Sequence, residues 1–411
     1  MKLFLQEHRF SYLKWIVIGL LLRLIFMSIT LHGDLLHMNW TAHFLTYQGY
    51  LIPGEMRHPP LLYYTMSFFQ LLFKPVMPLY ADGLSPAISW TQGPHLFWYL
   101  FLLKSYYLIF DLGVAFLLLR LIKDGKKRLL AFRLWMLNPV VIFTSYFQGQ
   151  FDVVPTFFVV LSLYYIVKNK LASSFFWLGI GAALKNFPFF FLIPAIILLG
   201  KTKVKKLTFL LLGTVPYLVL MYPYLGALGF KDNVMTTQYN QTFLNFRFSL
   251  GAFDTVYVFV VGYGLILIFT YFYSQTKESE DSFKRLWQTT LIICLWLYAT
   301  SLFHPQWFVW VMPLLILLVV ESKELRFFYW VLVICFFVYT FNWRKSLSWD
   351  LFSPLNLSFF NNLPSPYDII NHYYPAGTLV GISRSIFSAV SFFLIYWILK
   401  QLFFKQKYRQ R

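Results

Sequence analysis

Long apolar runs separated by short polar loops set the plan of this chain. The runs fall at residues 12–31, 96–121, 129–147, 153–167, 172–199, 207–224, 255–273, 286–303, 307–320, 327–341 and 378–399. A helix needs about 20 mostly apolar residues to cross the hydrocarbon core of a bilayer, and most of these runs approach or exceed that length. The stretch 172–199 is too short for two full crossings and predicts two half-length helices meeting at Lys185-Asn186-Phe187-Pro188. The pattern predicts an all-α polytopic membrane protein with roughly 11–13 transmembrane helices.

The loops between the runs carry a pattern of their own. RLIKDGKKR at 120–128, KNK at 168–170, KTKVKK at 201–206, the stretch 277–285, ESKELR at 321–326 and the tail KQKYRQR are basic. Lysine and arginine accumulate in cytoplasmic loops, so these loops define one face and the loops between them define the other. Residues 61–80 are apolar enough to cross, yet counting them would move 120–128 to the wrong side. Residues 61–72 are therefore expected to form a re-entrant or interfacial helix on the outer side. On this topology nearly all the chemistry-bearing side chains outside the basic fringe fall at the outer face, from Asp34 to His372. A chemical site on that side is the expectation.

Composition excludes the soluble classes. The chain has 411 residues, 59% hydrophobic, 22% aromatic and only 12% charged, whereas a soluble domain is near half apolar and a quarter charged. A formal net charge of +19 would suggest a nucleic-acid partner in a soluble protein. Here the bias of cytoplasmic loops accounts for it, and no nucleic-acid partner is expected. Cys294 and Cys335 both lie inside apolar runs, so neither a disulfide framework nor a metal motif is readable. The basic N-terminus leads into a first helix without a small-residue cleavage site, which reads as a retained anchor.

The loop after the first run, residues 32–60, carries the densest candidate chemistry. Leu35, Leu36, Trp40, Phe44 and Leu45 have the spacing of an amphipathic helix lying in the interface. Asp34 falls near that helix's N-terminus, where a carboxylate is favoured by the helix dipole. It is either a helix cap or a functional acid, with His37 one turn on. The loop closes with Arg57-His58-Pro59-Pro60. A second cluster, Gln148, Gln150 and Asp152, occupies the turn between two apolar runs. Asp152 there can N-cap the returning helix, or, with the glutamines, bind sugar hydroxyls or a cation. Lys104 and Asp111 lie seven residues apart on one helix face. Charges within a membrane span are normally paired or functional, and Asp111 is expected to form a structural ion pair with Arg23. Lys185, after the close-packing GIGAA, either snorkels to the interface or holds a lipid phosphate. Arg247, between aromatics in an outer loop, and His304, at a helix junction, complete a group of cations facing one carboxylate.

This set resembles the GT-C class of polyprenyl-phosphate-sugar-dependent glycosyltransferases. It looks most like the bacterial relatives of the GPI-anchor mannosyltransferases, and more distantly like the dolichyl-phosphate-glucose glucosyltransferases of N-glycan assembly. The resemblance rests on Gly33-Asp34 before an aromatic helix, His58-Pro59-Pro60-Leu61 before Tyr63-Tyr64, Lys104 with Asp111-Leu112, Asn138-Pro139 through Gly149-Gln150-Phe151-Asp152, Leu184-Lys185, and His304 before Trp307. Order and spacing agree over most of 12–313. One departure is Pro305, where the family often carries an acidic residue after the matching histidine.

The resemblance implies a GT-C-like bundle with the amphipathic helix in its first outer loop. It divides the chain into a catalytic core, 1–341, with its first outer loop at 32–96, an outer loop at 342–377, and a last transmembrane helix with basic tail at 378–411. It implies inverting transfer of one hexose, mannose more than glucose, from a polyprenyl phosphate to a glycan or lipid-linked acceptor. Asp34 would be the base. His37, Arg57, His58, Gln150, Asp152, Lys185, Arg247 and His304 would bind substrate, the cationic ones at the leaving phosphate. No cofactor is implied, and the motifs leave a divalent metal open. The membrane would be a bacterial plasma membrane with the site on its outer face. Two other readings use the same features: a lipid-linked saccharide flippase, which should show repeats or helices broken at the midplane, and an O-antigen-type polymerase or ligase.

Overall fold

The structure, a computed structural model, describes residues 9–76, 95–236, 238–251, 254–275 and 282–409. It is built from helices throughout. The first four are α1 (Arg9–Ile29), α2 (Gly33–Gln48), α3 (Pro60–Phe73) and α4 (Leu96–Ser105), followed by α5 (Tyr107–Leu121) and α6 (Gly125–Met136). The short α7 (Pro139–Ile142) runs into a π-helical turn, Phe143–Phe147, and then come α8 (Val153–Val167), α9 (Leu171–Leu184), α10 (Phe189–Leu199) and α11 (Lys203–Met221). A two-stranded hairpin, β1 (Arg247–Ser249) with β2 (Thr255–Tyr257), precedes α12 (Val258–Ser274) and α13 (Ser282–Thr300). The last elements are α14 (Met312–Glu321), α15 (Arg326–Thr340), α16 (Leu357–Asn362), α17 (Pro366–Tyr373) and α18 (Ala376–Arg409).

Among the described residues, six helical stretches are long and apolar enough to cross a membrane, and five shorter apolar helices of 10–17 residues accompany them. Leucine- and phenylalanine-rich faces such as Leu210, Leu218, Val261 and Leu265 stay exposed on the outside of the bundle, as lipid-facing helices require. The chain is a polytopic all-α membrane protein. At its centre α13 is buried on almost every side, from Arg285 to Thr300. The half-length pair expected between 172 and 199 is present as α9 and α10, of 14 and 11 residues, broken at Lys185–Pro188.

Helix α3 has 14 residues and packs along α2. The pair is joined by polar contacts: Gln70 Nε2 donates to the Asn39 carbonyl at 2.9 Å, and Thr46 Oγ1 to Gln70 Oε1 at 2.9 Å. This changes the face that α2 buries. Leu35 and Leu36 pack with α4, while Met38 and Ala42 join the main core, and Asn39 and Thr46 are buried with them. Trp40, Phe44 and Leu45 of the expected stripe are only half-buried. The helix is clamped between two neighbours, so a single-stripe pattern describes it poorly.

Deep in the bundle Arg23 Nε meets Asp111 Oδ2 at 2.5 Å, as the sequence suggested. The carboxylate also accepts from Trp135 Nε1 at 2.7 Å and the Tyr146 hydroxyl at 2.6 Å. A buried ion pair holds only when its remaining lone pairs are satisfied in this way.

Candidate functional site

A cavity of about 980 Å³ opens at the end of the bundle away from the basic loops. Its walls come from the start of α2, the turn before α3, the turn after the π segment, the α9–α10 break, residues 232–236, the residues from His304 to Trp307, and residues 343–347. Asp34, His37, Arg57, His58, Gln150, Lys185 and His304 line this one space. Seven segments scattered over 300 residues of sequence thus converge.

Asp34 lies in the first turn of α2, but the cap of that helix is His32, whose ring accepts from the Asp34 backbone N–H at 3.3 Å. The Asp34 carboxylate is therefore not consumed by capping. It accepts from Gln150 Nε2 at 2.8 Å and is about half-exposed to the cavity. On its other side, His32 Nε2 lies 3.2 Å from Ser346 Oγ. The imidazole thus bridges the acid-bearing turn to residues 341–352, which a backbone bond from Leu31 N to Leu351 O (2.8 Å) also fastens. His37 pairs with Glu55 at 3.4 Å across the mouth.

The turn that delivers Gln150 needs its glycine. Gly149 has φ +70°, and a Cβ there would come within 3.0 Å of Leu35 and 3.1 Å of Lys104. The Tyr107 hydroxyl holds the Gly149 carbonyl at 2.9 Å. Two residues on, Asp152 stands at the start of α8, but its side chain makes no capping bond. It accepts instead from Lys185 Nζ at 2.7 Å and Trp310 Nε1 at 2.6 Å. Asp152 sits behind the cavity wall; Lys185 is the face it presents. Lys185 does not snorkel away: its ammonium lies over the rings of Phe151 and Trp310.

The histidines are not the cations the sequence led us to expect. Burial, then the Lys185 charge, then His37, hold the His58 imidazole well below its ordinary range. Burial and Lys185 lower His304 to about 4, against the pull of Asp34. Both are neutral near pH 7, so positive charge at the wall rests on Lys185 and Arg57. Arg57 is oriented by Asn233 Oδ1 at 2.9 Å, while Asn233 Nδ2 donates to the Gly54 carbonyl at 2.6 Å. Arg247 is not brought to the site. It pairs with Tyr257 in the β1–β2 hairpin, exposed and outside the cavity lining.

Several wall residues carried no sequence signal: His32, Asn186, Asp232, Asn233, Gln306 and Ser346. Two side-chain oxygens in the wall are buried without a hydrogen-bond partner among the described residues, Gln148 Oε1 and Asn186 Oδ1. Unmet buried acceptors are costly. No group of three His, Cys, Asp or Glu side chains converges among the described residues.

Helices and cavity together define an integral, multi-pass membrane protein with a polar pocket at one end of its bundle. The family described as GPI transamidase subunit PIG-U matches residues 42–294, more than half of the chain, and the chain belongs to that family. The match takes in Arg57, His58, Gln150, Asp152 and Lys185 and lies between Asp34 and His304. The chain is 34% identical over 105 residues to GPI mannosyltransferase 1 of Debaryomyces hansenii, covering 23% of this chain and 25% of that protein. It is 27% identical over 123 residues to GPI mannosyltransferase 1 of Saccharomyces cerevisiae, covering 29% of this chain and 30% of the relative. The chain thus spans between a quarter and a third of the length of these curated relatives. Among solved structures, the crystal structure of ArnT from Cupriavidus metallidurans bound to undecaprenyl phosphate is similar with a TM-score of 0.48, at 12% identity, over 95% of this chain and 77% of that one.

Proposed function

We propose that the chain is a glycosyltransferase of the membrane, moving one hexose, mannose rather than glucose, from a polyprenyl phosphate donor to a glycan or lipid-linked acceptor on the non-cytoplasmic side. The observation that carries this reading is the cavity wall. One half-exposed carboxylate, Asp34, is held by Gln150, Lys185 faces the same space, and two buried acceptors, Gln148 Oε1 and Asn186 Oδ1, await donors. Sugar hydroxyls satisfy the acceptors, and a phosphate suits the ammonium. The mannosyltransferase relatives favour mannose.

In this mechanism the acceptor hydroxyl loses its proton to Asp34 as its oxygen bonds to the sugar's first carbon. The bond from that carbon to the phosphate oxygen breaks, and polyprenyl phosphate leaves with the electron pair. A phosphate departs without protonation, so one base suffices and the displacement inverts the centre. Lys185 and Arg57 stabilise the charge that grows on the leaving phosphate, and His58 and His304 serve as neutral hydrogen-bonding groups.

The family description favours a second reading, in which the same cavity holds a lipid-linked glycan for a transamidase without transferring sugar. Purified protein in lipid nanodiscs, given a panel of labelled polyprenyl-phosphate sugars and a lipid-linked glycan acceptor, separates the two. Label moving to the acceptor, most from the mannosyl donor, supports the transferase. Binding of the glycan with no transfer from any donor makes the chain a holding subunit.

A further inference from the structure

Beneath the cavity lies a charged group that none of this chemistry uses. Lys104 of α4 is fully buried. Its Nζ donates to the Thr30 carbonyl at 2.6 Å, to Thr30 Oγ1 at 3.0 Å and to the Tyr146 carbonyl at 2.9 Å. Among the described residues no carboxylate lies within ion-pair distance of it. An ammonium at membrane depth is expensive, and here its acceptors are all neutral.

Those acceptors sit at matching places. Thr30 is four residues before Asp34, and Tyr146 is four residues before Gln150. Asp34 and Gln150 then meet at 2.8 Å. Tyr146 belongs to the π-helical segment, where widened turns release carbonyls from the ordinary helical ladder. One of these carbonyls is taken by Lys104, and Thr30 Oγ1 lies 2.9 Å from the same oxygen. The Lys104 stem also lies 3.1 Å from the point where a Cβ on Gly149 would stand. An apolar side chain in its place would leave the Thr30 carbonyl without its Lys104 donor and the Tyr146 carbonyl with the Thr30 hydroxyl alone.

We propose that Lys104 is a positioning residue of the cavity, its ammonium fixing the register between the chain end that carries Asp34 and the turn that carries Gln150. This placement stands on geometry; only its kinetic consequence rests on the transferase reading.

The test measures the placement directly. Cysteines at both positions, Asp34→Cys with Gln150→Cys, are joined by a short bifunctional thiol reagent in the full chain, in detergent, well below its unfolding temperature. The native Cys294 and Cys335 are buried. A second pair at the opposite end, Lys284→Cys with Glu321→Cys, replaces residues 3.3 Å apart and serves as the control. Adding Lys104→Met should cut cross-linking of the first pair by about tenfold, the size expected for losing charged hydrogen bonds, and leave the control pair unchanged. Thr30→Val, isosteric and without the hydroxyl, should cut it several-fold, and it decides the question if the methionine variant does not fold. Unchanged cross-linking overturns the proposal, and so does an equal fall in both pairs, which would mean general loosening. In the transfer assay, Lys104→Met should lower kcat while donor KM stays within about twofold. A cross-linking result with no transfer from wild type would keep the positioning role and remove the transferase reading.

Discussion

At the scale of single residues, two carboxylates near one another have opposite surroundings. Asp34 is half-exposed and keeps its oxygens for the cavity, with one held by Gln150. Asp152 is fully buried, its Oδ1 accepting from both Lys185 and Trp310 while Oδ2 has no hydrogen-bond partner among the described residues. Replacing each with asparagine should therefore give different failures. Asp34→Asn can still accept the Gln150 hydrogen bond but cannot take a proton. Its stability should stay within about 0.5 kcal/mol of wild type, as for exposed positions, while turnover falls by roughly two to four orders of magnitude. Asp152→Asn strands the Lys185 ammonium at the wall, and breaking a buried pair from one side costs about 3–5 kcal/mol. Thermal unfolding alongside transfer rates checks both. Near-normal turnover in a folded Asp34→Asn protein would move the base elsewhere. The charge states of His58 and His304 show what sequence cannot carry at this scale: both read as cations in the chain, and burial beside Lys185 makes them neutral.

At the scale of elements, run length and turn chemistry were legible, and lateral packing was not. The expectation that residues 61–72 do not span came from the charge of the 120–128 loop, and the break at Lys185–Pro188 followed from counting apolar residues against the thickness of a bilayer. The buried face of α2 did not, because Asn39 and Thr46 go inside only once Gln70 and Ser67 of α3 supply partners. Residues 341–356 have no apolar period, so the bonds from Ser346 to His32 and from Leu351 to Leu31 left no trace in the sequence. Arg247 was misplaced for the related reason that a hairpin this short has little pattern to read. The turn at 148–150 gives the prediction for this scale. Gly149 holds a left-handed φ and has two side chains crowding its missing Cβ, whereas Gly33 at the start of α2 has open space. Gly149→Ala should destabilise the protein by about 1–2 kcal/mol, the cost of a left-handed backbone with a Cβ. It should also displace Gln150 and so reduce turnover. Gly33→Ala should do neither. Equal unfolding temperatures for the two variants would mean that the turn relaxes without consequence.

At the scale of the whole molecule, two cavities mark the two ends of the bundle. The one lined by Asp34 lies at one end, and another of about 760 Å³ is rimmed by Lys123, Lys127 and Lys201. Helices α8, α9 and α10 run between these ends, linking Asp152 to Lys168 and Lys170 to Lys185. With 15 and 14 residues, α8 and α9 rise only about 21–23 Å, less than the roughly 30 Å of a hydrocarbon core. If their lysine ends sit at one interface, as the charge bias expects, their other ends fall inside the thickness of the membrane. A cavity floor at that depth can receive a headgroup that stays attached to its lipid. The same geometry fixes what labelling should find. Glu55 is exposed at the cavity mouth, and Lys168 is exposed at the far end of α8. In intact cells an impermeant thiol reagent should label Glu55→Cys directly and Lys168→Cys only after permeabilisation, with the buried native cysteines silent. The positive-inside bias predicts that order. The reverse order would place the cavity on the cytoplasmic side and exclude a donor presented on the outer face. Labelling of both from outside would mean that α8 does not cross, and the pairing of Asp152 with Lys185 could not then mark the floor of a membrane-embedded site.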